Sequence, residues 1–375
     1  MPVRNFFFAG GGTGGHIYPA VAVAEKIARL APDSGIHFFI SSRDIDKQVL
    51  SKTNFQYTVL PAVGFTIRPA KLWQFLKMFL ASSKIAGQVL HEVPPSRGKT
   101  ANPVVIGVGG FVAAPVCRVA HKMSVPVALL NVDMVPGRAN KLIARWADKI
   151  FVQFEETAEH FGRFRKNVLV TGCPLRASFE NPNPQKVKEI LALDKDKKIL
   201  LITGASSGSQ NINRTICSLL DKLADFKDKW QIVHLTGVVN FEQVKAAYAA
   251  AAIKHKVLDY WDDMAGLLAA SDLVIGRSGA VSVAEYAAAG LPAICMPYPY
   301  HRDTHQYLNA GKLVEVGAAI IVDDVGDDTD RQEWLWEELE PLLKDDKTRL
   351  QMKESCKLVA KHDAAQKIAE TLLSV

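Results

Sequence analysis

The residues with the clearest chemical potential lie in a glycine-rich loop near the start of the chain, AGGGTGGH at Ala9–His16. Glycine allows positive φ and close approach of the backbone to a ligand. A helix that follows such a loop directs unpaired N–H groups and partial positive charge toward it, which favours an anion. His16 adds a side chain that can transfer a proton near neutral pH. Because Pro19 suits the first turn of a helix, we expect the helix to begin there and His16 to lie in the loop.

A second glycine-rich loop, Gly109–Phe111, also follows an apolar stretch. We expect it on the same strand-end face as the first loop. The first loop also satisfies the dinucleotide fingerprint G-x-G-x-x-G, and Asp44 follows the second predicted strand, where a ribose-binding acid is expected. Taken alone, this pattern favours an NAD or FAD oxidoreductase.

A third cluster, in the second half of the chain, combines Arg277, the run Ser278–Ala280 and Glu285. The run offers N–H groups at a helix start, which suits a pyrophosphate. Glu285 lies in the second turn of that helix, where a carboxylate can accept two ribose hydroxyls. After the next predicted strand, His305 and Gln306 can form hydrogen bonds with a neutral sugar.

The elements that must position these residues form an α/β pattern. Apolar segments alternate with amphipathic helical segments through both halves, which predicts parallel sheets. Strands are predicted over 4–9, 36–41, 56–60, 103–108, 126–130, 149–153 and 167–171, and over 198–203, 230–236, 255–259, 272–275, 292–296 and 318–322. The strand–loop–helix pattern restarts at 199–211. We therefore predict two Rossmann-like domains facing across a cleft, over 1–171 and 172–349.

Composition limits the function classes. The 375 residues are 48% hydrophobic and 22% charged, which is typical of a globular protein. The five cysteines are scattered, which argues against a disulfide framework or a zinc site. We find neither a signal-like start nor a run of the ~18 apolar residues that a membrane span requires, so we expect a cytoplasmic protein.

Charge is distributed unevenly. Residues 1–170 carry 21 Lys and Arg against 10 Asp and Glu, a net charge of +11, whereas the remainder carries 24 against 29, a net charge of −5. The first half therefore favours an anionic partner, either nucleic acid or a phospholipid surface. Because the sequence has no nucleic-acid-binding motif, we expect no nucleic acid and favour the membrane.

Residues 65–91 predict a basic amphipathic helix at that surface. Several apolar residues recur at helical spacing, so part of this helix belongs to the core. The apolar arc is wider than one buried face requires, since it also includes Trp73, Met78 and Leu80. The residues expected to contact the membrane are Ile67, Lys71, Leu72, Trp73, Phe75, Leu76, Lys77 and Phe79.

Together these motifs resemble the MurG family of bacterial peptidoglycan glycosyltransferases, from about residue 5 to about residue 320. The resemblance rests on GGTGGH at 11–16, GGF at 109–111, GCPLR at 172–176, DDM at 262–264, and RSGA at 277–280 followed by Glu285 and AAGLP at 288–292. It implies a GT-B fold and transfer of N-acetylglucosamine from UDP-N-acetylglucosamine to the 4-hydroxyl of an undecaprenyl-pyrophosphoryl acceptor, lipid I. The product would be lipid II, for peptidoglycan synthesis, cell shape and cell division.

The resemblance also implies residue roles. His16 would be the general base, and no cofactor or metal would be needed. The donor-binding residues would be Ser206, Arg277, Ser278, Gly279, Ala280, Glu285 and Gln306, with His305 beside them. The acceptor and diphosphate loops would contribute Thr13, Gly14, Gly15, Gly109, Gly110, Phe111, Asn140 and Arg176. A C-terminal helix over about 350–375 would return to the first domain. The enzyme would be peripheral, at the cytoplasmic face of the plasma (inner) membrane.

One departure from the family pattern affects the proposed chemistry. The family's His-Glu-Gln-Asn run after the fifth strand is Leu130-Asn131-Val132-Asp133 here, while Asn140 is retained. Asp133 therefore becomes a second candidate for the general base. Four alternatives remain open: a glycosyltransferase with another lipid acceptor such as diacylglycerol, a UDP-N-acetylglucosamine 2-epimerase-like enzyme, an oxidoreductase, and a catalytically silent sugar-nucleotide binder.

Overall fold

Two all-parallel sheets organise the chain. The computed structural model describes residues 4–64, 69–92 and 103–375. These pack into two units, one formed by Met1–Ala177 with His362–Val375 and the other by Ser178–Lys361. Each unit has helices on both faces of its sheet. The prediction of two Rossmann-like α/β domains is confirmed.

The sheet of the first unit has seven strands in the order β3-β2-β1-β4-β5-β6-β7. The strands are β1 (Asn5–Ala9), β2 (Gly35–Ile40), β3 (Gln56–Val59), β4 (Val104–Gly107), β5 (Val127–Asn131), β6 (Lys149–Val152) and β7 (Val168–Val170). All neighbours are parallel, and Phe6 of β1 pairs with Ile36 and with Val104. Every residue of β1 is buried, as expected for a strand covered on both faces.

Five helices connect these strands: α1 (Gly14–Leu30), α2 (Asp44–Leu50), α3 (Pro69–Glu92), α4 (Gly110–Lys122) and α5 (Arg138–Ile143). A 3-10 segment, Glu155–Asn167, joins β6 to β7. The core between the sheet, α3 and α4 is apolar, with Phe7, Phe39 and Val116 almost fully buried. Burial of this apolar surface is the main force that holds the helices on the sheet.

The sheet of the second unit has six strands in the order β10-β9-β8-β11-β12-β13. The strands are β8 (Lys198–Thr203), β9 (Trp230–Leu235), β10 (His255–Leu258), β11 (Leu273–Gly276), β12 (Ala293–Cys295) and β13 (Ala319–Ile321), all parallel to their neighbours. The helices are α6 (Pro184–Ile190), α7 (Gln210–Ser218), α8 (Leu220–Ala224), α9 (Phe241–Tyr248), α10 (Met264–Ala270), α11 (Ala280–Ala289), α12 (His305–Val314), α13 (Asp328–Lys344) and α14 (Asp346–Cys356). Short 3-10 turns lie at Ala205–Ser207 and Val238–Asn240.

The stretch 350–375 is not one helix. It is divided between α14, which packs on α11 and α13 of the second unit, and α15 (Ala364–Ser374), which packs on α1 of the first. The C-terminal return to the first unit is present, but α15 alone makes it, and the expected single helix over 350–375 is two helices. The break follows from the sequence 357–363, where the chain leaves helical geometry before the buried apolar face of α15 begins.

The first unit extends past residue 171 to Ala177. The reason is backbone hydrogen bonding. The N–H groups of Thr171 and Gly172 both donate to the Val152 carbonyl, at 3.0 and 3.2 Å. Further on, the Ala177 N–H donates to Glu25 Oε2 of α1 at 3.2 Å. These contacts tie 172–177 to β6 and α1 of the first unit.

Candidate active site

The first glycine loop lies where the strand order of the first sheet reverses, between β1 and β4. Open α/β sheets bind ligands at the carboxyl ends of strands at such a point. Gly11 and Gly12 have φ angles of 139° and 90°, in the region that favours glycine. The loop can therefore bring its backbone close to a ligand, as the sequence predicts.

Helix α1 begins at Gly14, earlier than expected. Thr13 is its extended N-cap, with φ −151° and ψ 156°, and the His16 N–H donates to the Thr13 carbonyl at 3.1 Å. The prediction that His16 lies in the loop is wrong, because it occupies the first helical turn. The helix continues through Pro19, which removes only the hydrogen bond that the Gly15 carbonyl would otherwise accept.

Asp46, a residue that the sequence analysis did not single out, fixes the loop. Its carboxylate is fully buried. Both oxygens accept the Gly12 N–H, each at 2.8 Å, and Oδ2 accepts the Ser41 N–H at 3.1 Å. A Cβ on Gly11 would lie 2.3 Å from Oδ2. Arg43 Nη1 completes the clamp by donating to the Gly12 carbonyl at 2.6 Å.

Asp44, the acid expected for a dinucleotide ribose, is exposed at the start of α2. The carboxylate that reaches the loop is that of Asp46, two residues further along, and it accepts hydrogen bonds from the protein's own backbone. The only sequence signal for Asp46 is an acidic residue in the first turn of the helix after β2.

The imidazole of His16 is partly buried between the two glycine loops. Its Nδ1 lies 3.1 Å from Thr13 Oγ1. A Cβ on Gly109, whose φ is 98°, would lie 3.0 Å from Nε2, so only glycine leaves room for the ring. The structure therefore places the two loops side by side, as predicted.

Burial lowers the pKa of His16 below its usual value, because desolvation disfavours the charged ring. Attraction to Asp133 and a backbone hydrogen bond with Gly11 oppose this effect, and Arg43 reinforces it. The result favours a neutral imidazole near neutral pH, which is the form that accepts a proton.

Two asparagines near His16 form a chain of hydrogen bonds that ends at the backbone of Asp133. Asn140 Nδ2 donates to Asn131 Oδ1 at 2.8 Å, and Asn131 Nδ2 donates to the Asp133 carbonyl at 2.7 Å. Asn140 Oδ1 is buried, lies 3.2 Å from the Cβ position of Gly109, and has no hydrogen-bond partner among the described residues. An unpaired buried acceptor is costly, so it indicates a place for a donor from a ligand or water. Asn131 is a second residue that the sequence analysis did not assign.

The remaining predicted residues of the first unit lie around α1 and α4. Gly110, with φ 76°, begins α4, and Phe111 follows it. The Arg43 guanidinium lies 5.6 Å from the centre of the Phe111 ring, which connects the second loop to the clamp of the first. Arg176 stacks 4.3 Å above the ring of Tyr18 on α1.

The second unit repeats the plan at its own reversal point, between β8 and β11. The loop after β8 exposes Ser206 in the turn Ala205–Ser207. Gly208, with φ 72°, approaches the next loop so closely that a Cβ would lie 2.2 Å from the Thr236 carbonyl oxygen. Ser209 then caps α7 by accepting the Ile212 N–H at 3.4 Å.

Arg277, at the end of β11, is only 9% exposed and bonds to other parts of the protein. Nη1 donates to the Met296 carbonyl at 2.7 Å and Nη2 to Ser209 Oγ at 2.6 Å. Nη2 also pairs with Asp324 Oδ2 at 2.6 Å, and the guanidinium lies 5.6 Å from the centre of the Tyr298 ring. Asp324 was not predicted from the sequence, because it is distant from Arg277 along the chain.

The run Ser278-Gly279-Ala280 opens α11, with Gly279 as the N-cap. Ser278 Oγ is buried without a hydrogen-bond partner among the described residues. Glu285 is partly buried in the second turn of α11, next to Tyr286, whose hydroxyl donates to the Arg277 carbonyl at 3.1 Å. The structure thus puts the predicted pyrophosphate N–H groups and the predicted ribose acid on one helix.

The predicted sugar-binding pair, His305 and Gln306, opens α12. Gln306 Oε1 accepts the Tyr298 N–H at 2.9 Å. His305 Nδ1 lies 2.6 Å from Asp303 Oδ1, and its ring stacks on His301 at 4.3 Å. Burial alone would raise the pKa of Asp303, but the hydrogen bond and charge of His305 lower it below its usual value.

Within residues 4–64, 69–92 and 103–375, no group of three or more His, Cys, Asp or Glu side chains is arranged to hold a metal ion.

The large side chains of α3 fall into an exposed set, which includes Leu80 beside the predicted contacts, and a half-buried set. Trp73, Leu76 and Leu80 are 72%, 46% and 65% exposed, with exposed Lys71 and Lys77 beside them. None of the helices in the described part of the chain combines the length and the apolar character needed to cross a membrane.

The other residues predicted to contact the membrane are half-buried on α3 or lie outside the described residues. Phe79 packs against the core beneath Arg118, whose guanidinium is 5.8 Å from the centre of the Phe79 ring, so Phe79 lies on the inner side of α3. Phe75 stacks on Phe79 with ring centres 5.9 Å apart, and Leu72 is half-buried. Ile67 lies outside the described residues.

Comparison with protein families matches both units. Residues 6–152 match the Glycosyltransferase family 28 N-terminal domain, and residues 199–369 match the Glycosyltransferase family 28 C-terminal domain.

Individual relatives cover most of the chain. A protein of Syntrophus aciditrophicus (strain SB), named UDP-N-acetylglucosamine--N-acetylmuramyl-(pentapeptide) pyrophosphoryl-undecaprenol N-acetylglucosamine transferase, is 35% identical over 86% of this chain and 85% of its own length. A protein of the same name from Desulfitobacterium hafniense (strain Y51) is 33% identical over 97% of both. Among solved structures, Acinetobacter baumannii MurG has the same fold, with a TM-score of 0.70 at 23% identity over 99% of this chain and 100% of that one.

Proposed function

Since the chain belongs to glycosyltransferase family 28, we propose that it transfers N-acetylglucosamine from UDP-N-acetylglucosamine to the 4-hydroxyl of lipid I, giving lipid II. The observation that carries this proposal is the 35% identity, over most of both chains, to a transferase of that name. The enzyme class is a UDP-sugar-dependent hexosyltransferase, and the pathway is peptidoglycan synthesis.

The donor is proposed to bind the second unit at the carboxyl ends of β8, β11 and β12. The N–H groups of Ser278–Ala280 and the start of α11 would face the diphosphate, where the helix dipole favours an anion. Ser206 would lie at the same diphosphate, and Glu285 would accept the ribose hydroxyls. Gln306, with His305 beside it, would bind the sugar. Support comes from the buried and unpaired Ser278 Oγ, which lies at the start of this helix.

The acceptor is proposed to bind the first unit, where the two glycine loops meet His16. The pyrophosphate of this substrate would lie against Thr13–Gly15 and Gly109–Phe111. Asn140 Oδ1 would accept a hydrogen bond from one of the sugar hydroxyls of the same substrate. Arg176 would add a cation at the edge of this site. Support comes from the orphaned Asn140 oxygen and from the backbone geometry that leaves space beside the imidazole.

The proposed reaction is a single displacement with inversion. The acceptor oxygen forms a bond to the anomeric carbon as the bond from that carbon to the diphosphate oxygen breaks, and UDP leaves with the electron pair. His16 takes the hydroxyl proton, for which its lowered pKa keeps it ready at neutral pH. The negative charge that grows on UDP is stabilised by preorganised N–H groups. Asp133 holds the charged imidazolium by attraction, which makes it a partner of His16 and the alternative base.

We propose that the enzyme works as a peripheral protein at the cytoplasmic face of the inner membrane. The outer stripe of α3, defined as Trp73, Leu76 and Leu80 with Lys71 and Lys77, would enter the anionic surface. Aromatic and aliphatic side chains flanked by lysine are the composition of an interfacial helix. The exposure of Trp73 and Leu80 is the main support.

The deciding experiment incubates the full chain with labelled UDP-N-acetylglucosamine and a lipid I analogue. We expect a labelled disaccharide lipid that appears only when both substrates are present. An epimerase would instead convert UDP-N-acetylglucosamine to its 2-epimer without any acceptor. Release of label to a diacylglycerol acceptor but not to lipid I would show a different acceptor class.

A further inference from the structure

We infer that Asp324 is a positioning residue of the donor site and that Arg277, held by it, orders the donor loops instead of serving as the cation on the diphosphate. This inference rests on the proposed function, because it concerns the loops proposed to bind UDP-N-acetylglucosamine.

Asp324 is a buried carboxylate that faces two guanidinium groups and one side-chain amide. It is 1% exposed and follows β13. Its Oδ2 pairs with Arg277 Nη2 at 2.6 Å, and its Oδ1 accepts Asn211 Nδ2 of α7 at 2.9 Å. Arg331, itself buried, brings its Nε to 3.8 Å from Oδ1. A buried ion pair of this kind holds its members in place, since removal of one member strands the others.

Arg277 passes this constraint to three loops. Through Nη2 it holds Ser209, the cap of the helix after the first donor loop. Through Nη1 it holds the Met296 carbonyl at the end of β12, two residues before Tyr298, whose N–H is bonded to Gln306. Its own carbonyl accepts the Tyr286 hydroxyl. The backbone that follows it is Ser278–Ala280, so one guanidinium aligns all the proposed donor loops.

The same contacts limit Arg277 as a ligand for the diphosphate. Its charge is neutralised by Asp324, and it is 9% exposed. To reach a phosphate, it would have to leave a buried ion pair, which is costly. The two possible roles of Asp324, competing with the diphosphate for Arg277 or positioning Arg277, therefore predict opposite changes in UDP affinity when its charge is removed. If Asp324 competes with the diphosphate for Arg277, neutralising Asp324 should tighten UDP binding. If Asp324 positions Arg277, neutralising it should weaken binding.

The test measures the dissociation constant of UDP by titration calorimetry on the full chain. Asp324→Asn keeps the size of the side chain and an acceptor for Asn211 but removes the charge. We expect about tenfold weaker UDP binding. Arg277→Gln should give a similar loss, and the double variant should be no more than about twofold worse than either single variant, because both act through one contact. Asp328→Asn, which removes an exposed carboxylate also paired with Arg331, is the control and should stay within about twofold of the parent.

Tighter or unchanged UDP binding by Asp324→Asn overturns the inference, and so do single losses that multiply in the double variant. Thermal unfolding of each variant identifies any that does not fold. In that case a variant with Arg277→Lys, which keeps the charge but cannot make the three contacts, gives the same comparison: it must lose affinity about tenfold. If the parent protein itself binds no UDP, the proposed function fails, and that result is distinct from any result with the variants.

Discussion

The two units place a glycine-containing loop at the same point of their sheets but fix it with groups of opposite charge. In the first unit a buried carboxylate, Asp46, takes the N–H of Gly12. In the second a buried guanidinium, Arg277, donates hydrogen bonds to a carbonyl and a hydroxyl and forms an ion pair with a carboxylate. We call these two central residues, Asp46 and Arg277, the hubs of the two loops. Both lie at the edge of the sheet where the strands have their carboxyl ends, close to the residues proposed to bind substrate or transfer the proton.

The difference shows which groups each loop leaves for a ligand. In the first unit the Asp46 carboxylate accepts the N–H of Gly12, so the groups left for a ligand are the start of α1 and the His16 imidazole. In the second unit the Arg277 guanidinium binds acceptor groups of the protein, so the N–H groups at the start of α11 are left for a ligand. The first arrangement suits proton transfer, whereas the second suits a diphosphate anion.

Removal of the imidazole should have the largest effect. If the first unit transfers the proton, His16→Ala lowers kcat by about 10²–10⁴-fold, the range for general-base catalysis. The KM for UDP-N-acetylglucosamine should change little, because the donor is proposed to bind the other unit. Steady-state kinetics with a lipid I analogue measure both constants.

The control for this variant is His160→Ala, which removes an exposed histidine of the same unit and should keep full activity. Equal losses in kcat and in donor affinity for His16→Ala would contradict the division of roles between the units.

Neutralising the carboxylate hub should come next. Asp46→Asn places an amide where both oxygens now accept the Gly12 N–H, so we expect a loss of about 2–4 kcal/mol of stability in the first unit. Asp44→Asn, on the same helix but exposed, should change stability by less than about 0.5 kcal/mol. Hydrogen–deuterium exchange of peptides from the first unit in increasing denaturant measures the difference. Equal midpoints for the two variants would show that the clamp does not hold the loop.

The membrane stripe gives a smaller effect that is confined to the first unit. Trp73→Ser with Leu80→Ser removes exposed apolar surface from α3 and should weaken binding to vesicles of phosphatidylglycerol by about 2 kcal/mol. Leu358→Ser, at an equally exposed leucine of the second unit, should leave flotation with vesicles unchanged. If the two proteins float equally well, α3 is not the contact surface.

The smallest expected effect is a shift in pH dependence. Asp133 raises the pKa of His16, so Asp133→Asn should lower it further. Because the base works in its neutral form, the acid limb of kcat/KM should move to lower pH, with little change at neutral pH. A loss of 10² or more at every pH would instead identify Asp133 as the base.

The sequence predicted the fold well because its signal is local. Runs such as Phe6–Phe8 and Ile199–Ile202 lie buried in parallel sheets, and apolar strands of this kind are visible without any knowledge of neighbours. The positions of both glycine loops followed from the same signal. Helix starts were harder to predict, since Pro19 is a common start residue but here lies inside α1.

The hubs could not be predicted because they depend on which strands become neighbours. Asp46 reaches Gly12 across 34 residues, since β2 lies next to β1. Asp324 reaches Arg277 from the far side of β12, between loops that no spacing rule connects. The residues predicted to contact the membrane also include positions from both the exposed and the half-buried side of α3. Hydrophobic periodicity marks an apolar face but does not show how much of that face a neighbouring element covers.

The path of the chain has a consequence for synthesis. Helix α15 buries Ile368 and Leu372 in the first unit, yet it is translated after the whole of the second unit. At typical rates of synthesis, the residues between Ala177 and α15 take roughly 10–40 s to emerge from the ribosome. The second unit, which is one continuous segment, can fold during that time, while α1 keeps an apolar groove open. The first unit of the chain to be made is therefore the last to be completed.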